Sequence, residues 1–436
     1  MNHVQWSAPL AAGPVDAHIN LPGSKSLTNR WLVLAALAST PTRLFGALAS
    51  RDSRLMIDAL TQLGARFEPD GEALRVHPIP RTGEPGAQTV HCGLAGTVMR
   101  FVPPVAALFR SPVHFTGDDS ALVRPMAPLL DGLRQQGVEI SSANDRLPFT
   151  VHGHGALRGG TVVIDAGGSS QFVSGLLLSA VRGEQPLRVR HVGADLPSLP
   201  HIEMTLSLLR QVGVDARHEE VDGVHEWVVH PQEFSIGDVV IEPDLSNAGP
   251  FIAAAMVTGG TVSIANWPEH TTQPGDEFMT IIPAMGGKAE RVDTDMEFTG
   301  LGPIRGIDID LSAVGELTPT VAALAALAQS PSHLRGIKHL RGHETDRVAA
   351  LAAELTKIGC QVQEHEGSLE ITPGELTGQA METYEDHRMA TAAAIIGLRV
   401  PGTRVINVAT TQKTMPDFVG MWLSMLHTEK PAGETW

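Results

Sequence analysis

Two kinds of apolar segment alternate along the chain. The first is an Ala/Leu-rich run that follows a turn of small polar residues. It occurs six times, as INLPGSKSLTNRWLVLAALA, CGLAGTVMRFVPPVAALF, DAGGSSQFVSGLLLSAV, PDLSNAGPFIAAAMV, DLSAVGELTPTVAALAALA and YEDHRMATAAAIIGL. A β-like stretch entering the turn predicts a strand, and the run after it predicts a helix. The second kind is a helix-like segment that ends in glycine and passes into a short strand: LTQLGARF, LRQQGVEI, LRQVGVDA, IPAMGGKAE and LTKIGCQV. The first glycines are Gly64, Gly137, Gly213, Gly286 and Gly359, spaced 73, 76, 73 and 73 residues apart. Glycine suits a helix C-cap that is followed at once by a strand. The chain therefore reads as six strand–helix–strand–helix–strand units of an α/β protein. Solenoid repeats are usually ~20–50 residues long, so units of this size are subdomains. The expected linkers lie near Ile19–Leu21 and Val240–Asp244, where the third unit hands over to the fourth. The polar tail His427–Trp436 is expected to fray.

Length and composition agree with two sets of three units. A chain of 436 residues exceeds one ordinary core and suggests two domains of roughly 200 residues each. Hydrophobic residues make up 42% and aromatics only 4%, so the core is expected to be Ala, Leu, Val and Ile. Cys92 and Cys360 are the only cysteines, which rules against a disulfide framework or four-ligand zinc site and fits a reducing compartment. The start MNHVQWSAPL lacks the pattern of a secretory signal, and no apolar run approaches the ~20 residues of a membrane helix. A soluble, cytoplasmic protein is expected. The net charge of −16 argues against wholesale binding of nucleic acid or anionic membrane. It makes any local gathering of Lys and Arg informative, because a small anionic ligand is the natural reason for one.

Each polar turn falls at the start of an Ala-rich helix, where unpaired N–H groups and a partial positive charge attract anions. The side chains there agree: Lys25, Ser26 and Arg30; Thr97 and Arg100; Ser169, Ser170 and Gln171. Arg124 in LVRPMAP, Arg347 in HETDR, Arg388 in EDHR and Lys413 in TTQKTMPDF add cations, and Arg suits planar phosphate and carboxylate. Taken singly these residues are weaker signals, since a helix-start Ser is commonly a plain N-cap. PGSKS is not a nucleotide phosphate loop, because GxxxxGK[ST] is absent. Asp386 with His387, and His339 with His343, lack a recurring metal-ligand spacing, so no metal is expected. His152 and His154 in VHGHG are expected in a turn. Glu316 and Glu344 stand at apparent helix starts, where capping and a division of acid and base roles are both open.

Together LPGSKSLTNR, AGTVMR, RPM, GGSSQF, HETDR, EDHRMA and KTMPDF resemble the 5-enolpyruvylshikimate-3-phosphate synthase family, in the family's order from residue 21 to 418. GELTPT and LRGHETDR look like its actinobacterial branch. The resemblance implies an inside-out α/β barrel fold of two similar domains, each of three βαβαββ units. Domain one would be 20–242 and domain two 1–19 with 243–436, with the active site in the interdomain cleft. It implies enolpyruvyl transfer from phosphoenolpyruvate to the 5-hydroxyl of shikimate 3-phosphate, by a monomer needing neither metal nor organic cofactor.

By the same resemblance Lys25, Ser26, Arg30, Ser169, Ser170, Gln171, Ser198, Glu316 and His343 would hold shikimate 3-phosphate. Lys25, Gly96, Arg124, Gln171, Arg347, Arg388 and Lys413 would hold phosphoenolpyruvate. Glu316 would accept the 5-hydroxyl proton, and Glu344 would protonate the methylene carbon with Lys25 or Lys413 assisting. Glyphosate sensitivity is the corresponding expectation for Gly96 and the basic set. The sequence departs from the common family pattern at Glu316 (often Asp), His343 (Lys), His339 (Asn), Leu94 (Asn), His201 (Tyr) and Phe101 (Pro). None removes an acid, a base or a phosphoenolpyruvate-binding Arg. Two alternatives are a UDP-N-acetylglucosamine enolpyruvyl transferase and a noncatalytic phosphometabolite-binding protein. The first usually carries a reactive loop cysteine that neither Cys92 nor Cys360 matches. The second would tolerate loss of Glu316, Glu344 or Lys413, yet all three are present.

Overall fold

A computed structural model describes residues 5–193 and 196–428. The expected frayed tail lies outside them from residue 429 onward. The helices among the described residues are α1 (Lys25–Leu37), α2 (Arg51–Gln62), α3 (Gly96–Ala106), α4 (Ala127–Gln135), α5 (Gln171–Ala180) and α6 (Leu199–Gln211). They continue with α7 (Leu245–Thr258), α8 (Phe278–Ala284), α9 (Thr318–Ala326), α10 (Arg347–Ile358), α11 (His387–Gly397) and α12 (Phe418–Met425). The odd-numbered helices are the six Ala/Leu-rich runs. The five glycine-ended segments are α2, α4, α6, α8 and α10, and their glycines all have φ between +79° and +117°. That left-handed conformation ends the helix and lets the chain turn into the next strand.

The chain divides into two units, Gly23–Ile241 and Met1–Pro22 with Glu242–Trp436. In the first, strands Gln88–His91 and Val113–Thr116 pair in parallel, and Phe149–His152 and Glu139–Ser142 follow antiparallel. The sheet of Gly160–Ile164, Leu187–His191, Val224–Val229 and Ala216–Val221 repeats this order. The pattern of polar and apolar residues predicted one strand after each second helix, whereas the structure has a hairpin of two. Short half-exposed strands such as Glu139–Ser142 carry too little alternation to be seen in the sequence. Two strands join sheets remote in sequence. Asp16–Ile19, which leads towards α1, pairs with Thr261–Ile264, and Asp238–Val240, which leads towards α7, pairs with Thr42–Phe45. In the sixth sheet Gln5–Ser7 runs antiparallel to Arg404–Ile406, beside Ala380–Met381.

Within each unit the Ala/Leu-rich helices pack on one another, α1 with α3 and α5, and α7 with α9 and α11. They are buried nearly all round: every residue from Thr97 to Ala106, and from Thr318 to Ala326, is buried. A helix apolar on every face needs such an interior place, and each Leu or Val buried there contributes about 1.5–3 kcal/mol. Close crossings use glycine. A Cβ on Gly175 of α5 would lie 2.1 Å from the Arg100 carbonyl of α3, and one on Gly249 of α7 would lie 2.8 Å from the Phe278 ring. Burying the helix bodies leaves their polar N-terminal turns as the parts able to meet a ligand.

Candidate functional site

In the unit Gly23–Ile241 the starts of α1, α3 and α5 carry the predicted anion-binding residues. Ser24 caps α1, its Oγ accepting the Leu27 N–H at 3.4 Å. Lys25, the first residue of α1, has Nζ 3.9 Å from Oδ2 of the buried Asp52 on α2. Ser26 follows, and one turn later Arg30 is buried, 1% exposed. The Arg30 Nε donates to Thr205 Oγ1 at 2.8 Å, Nη1 to the Ser26 carbonyl at 3.1 Å, and Nη2 to the His201 carbonyl at 2.9 Å. Burial lowers the Arg30 guanidinium to about 9, which leaves it a cation at neutral pH. Arg30 thus ties the first turn of α1 to α6. Ser198, with φ +57°, is the N-cap of α6.

The start of α3 has no capping side chain, and three polar side chains surround its first residue. A Cβ on Gly96 would lie 3.0 Å from Arg100 Nη1, 3.1 Å from Gln171 Oε1 and 3.3 Å from Arg124 Nη1. These come from α3, the start of α5 and the turn before α4. Arg124 Nη1 donates to the Leu94 carbonyl at 3.3 Å, and Arg100 Nη2 to the Pro125 carbonyl at 3.3 Å. Gln171 Oε1, Thr97 Oγ1 and Arg124 Nε are buried without a hydrogen-bond partner. Orphaned polar atoms of this kind fit a site whose partner is a ligand. Ser169 Oγ accepts the Gln171 N–H at 3.3 Å, and the buried Ser170 is the N-cap of α5. Gly96, Arg124 and Gln171 are therefore brought together.

The other unit gathers acids and bases around Arg347, the first residue of α10. Its Nε donates to Asp386 Oδ2 at 2.7 Å and Nη2 to Glu344 Oε2 at 2.9 Å. Glu344 Oε1 lies 2.5 Å from Lys413 Nζ, both side chains being largely buried. Burial pulls the Arg347 guanidinium down, but Asp386, Glu344 and Glu316 outweigh it and hold the group above its ordinary value. Arg388 is instead lowered, by burial, with Glu316 pulling the other way. Glu316 sits in the 3-10 turn Gly315–Leu317 ahead of α9, and its charge is felt by both arginines. His343 Nδ1 is 3.2 Å from Arg347 Nη1. An arginine can only donate, so this ring nitrogen is the acceptor in that contact.

Two structural roles differ from the simplest reading of the sequence. Glu344 does not cap α10; Asp346 does, its Oδ1 accepting the Ala349 N–H at 3.0 Å. His152 is in a strand, Phe149–His152. Asp386 and Asp52 were not among the predicted site residues. Asp386 is fully buried, caps α11 through the Arg388 N–H at 2.9 Å and holds Arg347 as well. An acid directly ahead of a helix start was the signal for the cap, while its tie to Arg347 needs the fold. Burial pushes the Cys92 thiol up to about 12 and the Cys360 thiol up to about 11, so neither is set up as a nucleophile.

The family model described as EPSP synthase (3-phosphoshikimate 1-carboxyvinyltransferase) matches residues 10–422. A protein of Kocuria rhizophila named 3-phosphoshikimate 1-carboxyvinyltransferase is 54% identical over 443 residues, covering 98% of this chain and 99% of that one. Among solved structures, EPSP synthase from Acinetobacter baumannii superposes with a TM-score of 0.78 at 23% identity, covering 96% of this chain and 97% of that one. The enolpyruvyl transferase NikO from Streptomyces tendae gives 0.74 at 18% identity, covering 97% and 96%. At these identities the two structures establish the fold.

Proposed function

The chain belongs to the EPSP synthase (3-phosphoshikimate 1-carboxyvinyltransferase) family, and from that premise we propose how its residues carry the reaction. The enzyme transfers the enolpyruvyl group of phosphoenolpyruvate to the 5-hydroxyl of shikimate 3-phosphate, releasing inorganic phosphate, in the shikimate pathway to chorismate and the aromatic amino acids. The observation that carries this reading is the 54% identity to the Kocuria rhizophila protein across nearly the whole of both chains.

In our reading Lys25, Ser26, Arg30, Ser169, Ser170, Gln171, Ser198, Glu316 and His343 hold shikimate 3-phosphate. Arg30, tied on several sides within the protein, would act there chiefly by its charge and by fixing the turn of Ser26. Lys25, Gly96, Arg124, Gln171, Arg347, Arg388 and Lys413 hold phosphoenolpyruvate. The two substrates carry about four or five negative charges together, and cations with helix N-termini offset their repulsion. Glu316 takes the 5-hydroxyl proton while the oxygen attacks C2 of phosphoenolpyruvate. Glu344 delivers a proton to C3, giving a tetrahedral ketal phosphate. Loss of phosphate and of a methyl proton then leaves the enol ether. The contact between Lys413 and Glu344 supports a shared acid, in which the ammonium resupplies the carboxyl as it gives its proton away.

Glyphosate is proposed to compete with phosphoenolpyruvate at the residues around Gly96. We also read the enzyme as a cytoplasmic monomer; among the described residues no helix is long and apolar enough to cross a membrane. Nuclear magnetic resonance of the product tests the assignment. An enol ether on the C5 oxygen of shikimate 3-phosphate supports it, and unreacted substrates after long incubation overturn it.

A further inference from the structure

The turn that leads into α11 holds two consecutive residues with side chains in the left-handed region, Tyr384 at φ +53° and Glu385 at φ +59°. Residues with a Cβ adopt this conformation only at a cost, and two in succession require neighbours that over-determine it. Those neighbours are present. The Tyr384 hydroxyl donates to Glu354 Oε1 at 2.9 Å, and the Glu382 N–H donates to Glu354 Oε2 at 3.0 Å. Glu354 is buried, 1% exposed, and lies on α10 seven residues after Arg347, two turns along the same face. Asn407, itself at φ +56° and leading into the turn that ends at Lys413, donates from Nδ2 to Glu385 Oε1 at 2.9 Å. Immediately after the strained pair come Asp386, which holds Arg347, and Arg388.

We propose that Tyr384 is a positioning residue for phosphoenolpyruvate binding. Its hydroxyl, anchored on Glu354, holds the left-handed turn that directs Asp386 to Arg347 and sets Arg388 at the head of α11. The inference rests on Arg347 and Arg388 being phosphoenolpyruvate ligands. Tyr384 is 40% exposed and is no part of the apolar core, so core packing does not account for its tether. The ring reaches across the strained turn to the helix that carries Arg347. The hydroxyl and the Glu382 N–H, on the two oxygens of one carboxylate, thereby link the segment that carries Arg388 to the helix that carries Arg347.

Tyr384→Phe keeps the ring and removes the bond. The expected result is a KM for phosphoenolpyruvate raised about fivefold, with the KM for shikimate 3-phosphate and the unfolding midpoint unchanged. Glu354→Ala, which also removes the acceptor of the Glu382 N–H and of Lys357 Nζ, should raise the KM for phosphoenolpyruvate at least as much. The double variant should be no worse than Glu354→Ala alone, because the Tyr384 contact is already gone there. Additive effects, or equal rises in both KM values, overturn the proposal. Tyr384 is the only tyrosine in the chain, so absorbance of its phenolate reports the tether alone. Burial and the Glu354 carboxylate push the phenol up to about 12, and the native enzyme should show almost no phenolate at pH 10. Half-ionisation near pH 10, the behaviour of a free tyrosine, overturns the proposal even if a variant fails to fold. Wild-type turnover is measured alongside: its absence would remove the functional reading, whereas an active wild type with an unaltered Tyr384→Phe variant removes only this inference.

Discussion

Glu344 and Lys413 are 69 residues apart in the chain, yet Glu344 Oε1 meets Lys413 Nζ at 2.5 Å while Oε2 accepts from Arg347. One largely buried carboxylate therefore offsets two cations. A buried charge that loses its partner is costly, so the three groups are interdependent. An anionic ligand that engages Lys413 and Arg347 would leave Glu344 among negative charges, where taking up a proton is favoured. The contact that links these groups in the structure is also the one through which, in the proposed mechanism, Lys413 would resupply the Glu344 proton.

Replacing either acid by its amide separates chemistry from binding. Glu344→Gln and Glu316→Gln should each lower kcat by about 10²-fold or more, with both substrates still bound. Steady-state kinetics with isothermal titration checks this. Unchanged turnover in either variant refutes the role given to that residue.

Gly96→Ala should remain folded but bind phosphoenolpyruvate poorly. The added methyl would press on Arg100 Nη1, Gln171 Oε1 and Arg124 Nη1 at 3.0–3.3 Å and, on the proposed placement of phosphoenolpyruvate, intrude on the ligand. Overpacking of this size costs about 1–3 kcal/mol, so the KM for phosphoenolpyruvate should rise about tenfold. Glyphosate inhibition should weaken in parallel, while the KM for shikimate 3-phosphate stays near its starting value. A rise confined to shikimate 3-phosphate would show that the cradle serves the other substrate.

The thiols should be silent. With Cys92 and Cys360 pushed up to about 12 and about 11, thiolate is scarce at pH 8. Iodoacetamide should leave activity intact, and mass spectrometry should find both sites alkylated only after unfolding. Rapid inactivation by the reagent would point to the reactive-cysteine chemistry expected of a UDP-N-acetylglucosamine enolpyruvyl transferase.

Equivalent glycines of the repeat should differ in their tolerance of a side chain. Gly213 has φ +79° with open space around a Cβ, whereas at Gly359 (φ +117°) a Cβ would lie 2.4 Å from the Glu375 carbonyl oxygen. Gly213→Ala should cost about 1–2 kcal/mol from backbone conformation alone. Gly359→Ala should cost clearly more, because a carbonyl must also move. Urea unfolding of the two variants measures the difference.

The sequence carried the inner helices plainly, because runs such as FIAAAMV are apolar at every position and the glycines at 64, 137, 213, 286 and 359 mark helix ends. The hairpin strands were less legible, since a four-residue half-exposed strand like Glu139–Ser142 leaves almost no periodic signal. Among the site residues, Arg347, Arg388 and Lys413 stood out as cations in an acidic chain. Asp386 did not, because an acid before a helix reads as a cap and its bond to Arg347, 39 residues away in the chain, depends on tertiary structure. The left-handed Tyr384–Glu385 pair was invisible for a related reason: neither residue favours that conformation, so only the tertiary contacts of Glu354 and Asn407 create it.

The most direct measurement is release of inorganic phosphate from phosphoenolpyruvate, with shikimate 3-phosphate and UDP-N-acetylglucosamine offered separately as acceptors. The account predicts release with shikimate 3-phosphate alone. Release with the nucleotide sugar alone would keep the fold and overturn the acceptor, and release with neither would contradict the catalytic reading as a whole.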